Sequence, residues 1–126
     1  MTPARIQLAI AAVFLLLGGW CLVAPQSVAQ LTLRPAYLSH DPLIAILIGC
    51  FGAQAVLAGI FAAFSTFTRR TFLLFGLAVL PFFWFDYYFY AVEPVFNEFI
   101  LLDAVGNVMF VVLCGAGYGQ LSRIRS

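Results

Sequence analysis

The stretch LIAILIGCFGAQAVLAGIFAAF, residues 43–64, decides the fold, because 22 consecutive residues carry no charge. A helix needs about 20 apolar residues to cross the hydrocarbon core of a bilayer. The whole chain has the same character, with 64% hydrophobic and 9% charged residues. A soluble domain of this length needs far more charge to cover its surface. The sequence therefore predicts an integral membrane protein.

Three further apolar segments are long enough to span a membrane, at residues 6–24, 72–90 and 96–118. The connections that follow residues 64 and 90 are short, which favours an up-down-up-down arrangement of neighbouring helices. We expect residues 1–126 to form one domain. Its predicted fold is an all-α, antiparallel four-helix transmembrane bundle.

The arginines predict the orientation of the bundle. Five of the six flank the same predicted membrane face: Arg5, Arg69, Arg70, Arg123 and Arg125. Arg34 alone lies in a loop on the opposite face. Because positive residues stay on the cytoplasmic side, we expect both termini in the cytoplasm and a bacterial inner membrane as the location.

The first apolar segment has an alternative interpretation as a cleaved signal peptide. Ser27-Val28-Ala29 offers small residues at a cleavage position, and Arg5 precedes the apolar stretch. The apolar stretch is long for such a signal, so we expect residues 6–24 to be retained as the first span.

Two aspartates lie inside apolar segments, where a charge is expensive. A charged side chain within a span costs about 2.5–3.5 kcal/mol on insertion scales, so its presence indicates a function. The helical rise of about 1.5 Å per residue places Asp86 and Asp103 in the outer half of the membrane. Asn107 and Gln54 fall at similar depths near the midplane. We expect these four side chains to converge inside the bundle.

The charge state of the aspartates has two open explanations. Arg34 and His40 are the only cations in the outer loops. In the first explanation, the loop 25–41 closes over the outer mouth and Arg34 pairs with an aspartate. In the second, the aspartates remain protonated and donate to Asn107, Gln54 and tyrosines. A hydrogen-bonded link between helices and a role in ligand or proton binding both remain open.

The aromatic run around Asp86 also has two interpretations. Trp84, Tyr87 and Tyr90 lie where an outer aromatic belt belongs, since Trp and Tyr concentrate at membrane interfaces. The run is denser than anchoring requires. An aromatic wall beside an acid also suits a flat or cationic hydrophobic ligand.

Several chemistries lack their sequence signals. The single histidine has no evident nucleophile beside it, and no glycine-rich phosphate loop is present. The three cysteines are scattered over three predicted helices, without the spacing of a metal or redox pair. We expect no metal, no cofactor and no nucleic-acid partner.

The first half of the chain resembles small bacterial four-helix membrane proteins of the DoxX-like kind. The resemblance rests on LGGWCLVAP, residues 17–25, and on Gly49, Gly52 and Gly59 in the second span. It implies a four-helix membrane fold and, for some members, a role as an accessory subunit. The strings 84–88 and 103–107 depart from the family pattern, so no family role passes to the two aspartates.

The leading functional hypothesis is non-enzymatic. We expect an accessory subunit of a membrane complex, or a bundle that binds a hydrophobic small molecule in a polar pocket of its outer half, with membrane lipid around it. The alternatives are an intramembrane enzyme that uses Asp86 and Asp103 as acid and base on a lipid-like or sterol-like substrate, and an oligomeric proton-coupled carrier.

Overall fold

The computed structural model describes residues 1–124 and folds them almost entirely into helices. The five α-helices are α1 (Pro3–Val23), α2 (Pro25–Thr32), α3 (Pro42–Phe64), α4 (Arg69–Tyr87) and α5 (Ile100–Ile124). A 3-10 turn, Pro35–Tyr37, precedes α3, and a π-helical turn, Tyr88–Val92, continues α4. Helices α1, α3 and α5, and α4 together with its π-helical turn, are long and apolar enough to cross a membrane, which confirms the prediction of four such helices. Arg125, used above for the orientation, lies outside the described residues.

Polar side chains define where the long helices begin. Thr2 accepts a hydrogen bond from the backbone N–H of Arg5 at the start of α1. The Asp41 carboxylate accepts from the N–H of Leu43 at 2.9 Å, so this residue caps α3 as its place in the sequence predicts. Thr68 and Thr71 form a reciprocal pair that caps α4.

Helices α1 and α3 meet through small residues. Gly52 of α3 lies so close to α1 that a Cβ added there would be 2.7 Å from the carbonyl oxygen of Gly18. A Cβ added to Gly18 would in turn be 2.7 Å from the Cβ of Ala55. Without a hydrophobic force between helices in lipid, such close backbone approach is what stabilises the pair. Gly49 takes no part in this packing, because a Cβ added there would have nothing within 4 Å.

Helices α4 and α5 form the second closely packed pair, and phenylalanines fill the space between the two pairs. Phe110 of α5 packs edge-on against Phe14 of α1, with ring centroids 5.0 Å apart. The Phe72 side chain is fully buried and lies over Gly117, where α5 offers no side chain. The core of the described chain therefore combines phenylalanines with aliphatic residues such as Ile6 and Ile10, and it lies in the half of the bundle that holds the N-terminus.

At the end of the bundle opposite the N-terminus, the two helix pairs are joined by backbone hydrogen bonds. Leu33 and Phe96 form an antiparallel β-bridge, in which the N–H of Arg34 donates to Val95 and the N–H of Asn97 donates to Thr32. The last span, predicted to begin near residue 96, has its helix start four residues later. Residues up to 97 belong to the bridge, and α5 begins only at Ile100.

Candidate functional site

The site is a cluster of two acids and one amide between α4 and α5. The Asn107 side chain donates from Nδ2 to Oδ2 of Asp86 at 3.0 Å and to Oδ2 of Asp103 at 3.1 Å. Both amide protons are thereby used. Because two oxygens bind one nitrogen, they lie at most about 6 Å apart, a range at which like charges interact strongly. The structure thus brings together three of the four side chains expected to converge.

The two acids have different surroundings. Asp86 is only 5% exposed and lies just before the π-helical turn in which the α4 helix ends. Asp103 is half-buried and lies in the first turn of α5, where the dipole is positive and favours an anion. Burial therefore disfavours a charge on Asp86, and helix position favours one on Asp103.

Arg34 does not bind the acids. Its Nε donates to the carbonyl oxygen of Phe96 at 2.8 Å, and its Nη2 donates to that of Tyr90 at 3.4 Å. The guanidinium also lies 5.8 Å from the centre of the Tyr90 ring. The loop 25–41 is thus fastened across the outer end of α4 and α5, but its cation serves backbone carbonyls. The structure does not bear out the expected pairing of Arg34 with an aspartate.

Gln54 and the aromatic candidates lie away from the cluster. The Gln54 side chain is exposed on α3 and joins neither acid. Trp84 and Tyr87 are 65% and 56% exposed, so they face outward from α4, as residues of an interfacial belt do. Tyr90 is half-buried and contacts Arg34. These side chains therefore form no aromatic wall around Asp86.

Two cavities in the described part of the chain are lined by residues other than the acids. An apolar groove of about 280 Å³ runs between α4 and α5 beside Gly76 and Gly115. A second space of about 240 Å³ lies beside Gln7 and Ser65, at the end of the bundle that holds the N-terminus. Among residues 1–124, no three His, Cys, Asp or Glu side chains converge as metal ligands would. These two cavities therefore lie apart from the cluster at Asp86.

One buried polar residue was missed by the sequence reasoning. Gln7 of α1 donates to the carbonyl oxygens of Ala62, at 2.6 Å, and Ser65, and its Oε1 accepts from the N–H of Phe67 at 3.0 Å. Gln7 therefore supplies hydrogen-bond partners to two backbone carbonyl groups at the end of α3 and to one backbone N–H group of the loop that follows. A polar residue near the start of an otherwise apolar segment was the available signal, but it reads equally well as an interfacial residue.

No family model, curated protein or solved structure matches this chain. The resemblance to DoxX-like proteins therefore stays a prediction from the sequence, and the function has to be argued from the cluster itself.

Proposed function

We propose that this chain is a small, non-enzymatic inner-membrane protein that binds a proton at the Asp86–Asn107–Asp103 cluster in the outer half of the membrane. The observation that supports the proposal most directly is the sharing of one amide by two carboxyl groups. Two carboxylates held this close in an apolar surrounding repel each other, and one shared proton removes that repulsion. The nearest arginine is engaged with carbonyl oxygens, which leaves the proton as the smallest neutralising occupant.

In this proposal Asp86 holds the proton and Asp103 carries the charge. Asp86 is the more buried of the two. Asp103 lies at the positive end of α5 and keeps an amide donor, so its anion is solvated by the protein. A protonated Asp86 can donate to Asp103 while it accepts from Asn107, which completes the cluster.

The proposed topology is an antiparallel four-helix bundle with both termini in the cytoplasm. Contacts between α1 and α3 support it, because Gly18 meets Ala55 while Gln7 meets Ala62. Contacts between α4 and α5 run in the same opposed sense, from Gly117 near Phe72 to Asn107 near Asp86. The excess of arginines on one face supports the cytoplasmic termini, and it puts the cluster toward the outside.

The proposed role is that of an accessory subunit whose helix packing responds to protons from the outer side. Loss of the proton would put two negative charges on one amide and weaken the link between α4 and α5. A protein built in this way would report or relay outer acidity to a membrane complex. A ligand-binding or acid–base enzymatic role would require room for an organic molecule beside Asp86 and Asp103, and neither of the two cavities described above supplies it.

Infrared difference spectroscopy of the protein in liposomes tests the proposal. A pH step should change a protonated-carboxyl C=O band, and the band should vanish in Asp86→Asn. Asp103→Asn should shift the band without removing it, because the proton donor remains. A wild-type spectrum with no protonated-carboxyl band between pH 5 and 8, or a band that persists in Asp86→Asn, would contradict the assignment.

A reporter test addresses the topology. An alkaline phosphatase fused after the C-terminus should be inactive in cells, whereas a fluorescent protein fused at the same point should fluoresce. The opposite pair of results would overturn the cytoplasmic placement and would move the cluster to the inner half of the membrane.

A further inference from the structure

Helix α3 has two different faces. One is buried against α1 and consists of small residues: Gly52, Ala55, Gly59 and Ala62. The opposite face carries a row of exposed residues: Leu43, Leu47, Cys50, Gln54, Leu57, Phe61 and Phe64. Their spacing alternates between four and three residues, which is the a and d spacing of a coiled-coil seam. We call this row the α3 seam.

Gln54 is the member of the α3 seam that lipid cannot accommodate well. It lies about 18 Å along the helix from Pro42, which places it near the middle of a hydrocarbon core about 30 Å thick. Its side chain is exposed, and its amide makes no hydrogen bond within residues 1–124. A glutamine side chain is too short to reach the interface from that depth. An amide exposed to hydrocarbon without a partner is unfavourable.

The chemistry of the amide selects its partner. A carboxamide both donates and accepts, so two glutamines related by a two-fold axis satisfy each other. All copies of a membrane protein insert in the same orientation, so identical seam positions meet across an axis along the membrane normal. We infer that the α3 seam is the interface of a homodimer, in which Gln54 binds the same amide of a second copy.

The other exposed faces do not call for a protein partner in the same way. The outward residues of α5, such as Val105, Val108 and Val112, are apolar, and lipid alone suffices to cover them. A single polar residue at an a position within an apolar seam is a known device for fixing register and oligomeric state. Side-chain hydrogen bonds between helices also contribute to association within a bilayer. The inference therefore rests on Gln54 and its position in the row.

The seam contains its own chemical reporter. Cys50 lies one helical turn from Gln54 in the same row and is exposed, whereas Cys21 and Cys114 are buried. In the proposed dimer the two Cys50 thiols face each other. A mild oxidant would then accept two electrons from the thiol pair. The two thiols would lose their protons to the solvent, and one disulfide bond would form between the sulfurs. Monomers meeting at random would form this bond only in proportion to their density in the membrane.

The experiment uses the full chain in liposomes, oxidised with copper phenanthroline and analysed on non-reducing gels over a series of lipid-to-protein ratios. We expect a disulfide-linked dimer that persists on dilution and disappears in Cys50→Ala. Gln54→Leu should lower the association constant of the dimer by about three- to tenfold, as expected for the loss of one interhelical hydrogen bond. Gln54→Asn, which keeps an amide, should lower it less. A matched control, Val108→Cys in the Cys50→Ala background, should cross-link only in proportion to density.

Two results would overturn the inference. One is a wild-type cross-link that falls with dilution like that of the Val108→Cys control. The other is an unchanged dimerisation constant in Gln54→Leu, measured by energy transfer between labelled copies. Gln54→Leu should retain the infrared band of the protonated carboxyl, so failure of the dimer and failure of the proton site are separately visible.

Discussion

Arg34 donates its Nε–H to the carbonyl oxygen of Phe96 at 2.8 Å, so the arginine of the outer loop binds the backbone between α4 and α5. Its second contact, with the carbonyl oxygen of Tyr90, lies in the π-helical turn that ends α4. Carbonyl groups at a helix end have no partner within the helix and carry partial negative charge. Arg34 therefore holds the outer loop against that end.

Loss of this contact should loosen the outer junction. Arg34→Gln is expected to lower the free energy of unfolding by about 1–3 kcal/mol, because a charged donor is removed from two carbonyl oxygens. The free energy of unfolding of Arg34→Lys should lie between those of the wild type and of Arg34→Gln, since a lysine keeps the charge without the planar guanidinium group. Thermal unfolding in detergent measures the loss, and amide exchange at Arg34 and Asn97 reports it locally. His40→Gln, an exposed change in the same loop, is the control and should have little effect.

The Asn107 side chain should contribute measurably to the stability of the fold, because it donates to both acids. Asn107→Leu removes both hydrogen bonds to the acids and is expected to destabilise the fold by about 1–3 kcal/mol. Asn107→Gln should retain part of the stability because a donor remains. The neighbouring exposed change Val108→Ala provides the control. An Asn107→Leu variant that unfolds at or above the wild-type temperature would show that the amide does not hold the two acids together.

The proposed proton gives stability a defined dependence on pH. If the folded cluster binds more protons than the unfolded chain, stability falls as pH rises through the loss of that proton. Unfolding temperatures measured from pH 5 to 9 should therefore decline for the wild type. Asp86→Asn, which imitates the protonated acid, should flatten the slope and keep most of the stability. A slope that is steeper in Asp86→Asn than in the wild type would argue against a proton on Asp86.

Two glycines of α3 should respond oppositely to the same change. A Cβ at Gly52 would lie 2.5 Å from the backbone nitrogen of Leu22, so Gly52→Ala must push α1 and α3 apart. We expect a loss of about 1–3 kcal/mol in the free energy of unfolding. Gly49→Ala adds the same methyl group where nothing lies within 4 Å, and it should be neutral or slightly stabilising. Equal effects of the two changes would contradict the close α1–α3 contact.

The depth of each polar residue along its helix could be predicted from the sequence, but the side of the helix on which its side chain lies could not. Counting residues from the helix ends placed Asp86, Asp103 and Asn107 at compatible depths, and the structure brings them together. The same count placed Gln54 beside them, but its side chain is exposed. In a soluble helix the polar face identifies the outside. Here the lipid-facing and buried sides of α3 are both apolar, so periodicity does not distinguish them.

Contacts made by backbone groups also escaped prediction. A pair between Arg34 and a carboxylate was one of the two explanations left open, since side-chain charges are visible in a sequence and unpaired carbonyl oxygens are not. The bridge between Leu33 and Phe96 lies in two loops that show no strand pattern. By contrast, Asp41 as a helix cap was predictable, because capping depends on one residue type at one position.

The hydrogen bond between Asp86 and Asn107 also constrains how the chain enters the membrane. Asp86 is made before its amide partner, which follows 21 residues later. Until α5 emerges, α4 would have to carry an unpartnered acid into lipid, which is unfavourable. Helices α4 and α5 are therefore best inserted together as a hairpin, after α1 and α3 have packed through their glycines. The acid on α4 and its amide partner on α5 thus favour insertion of the two helices as one unit.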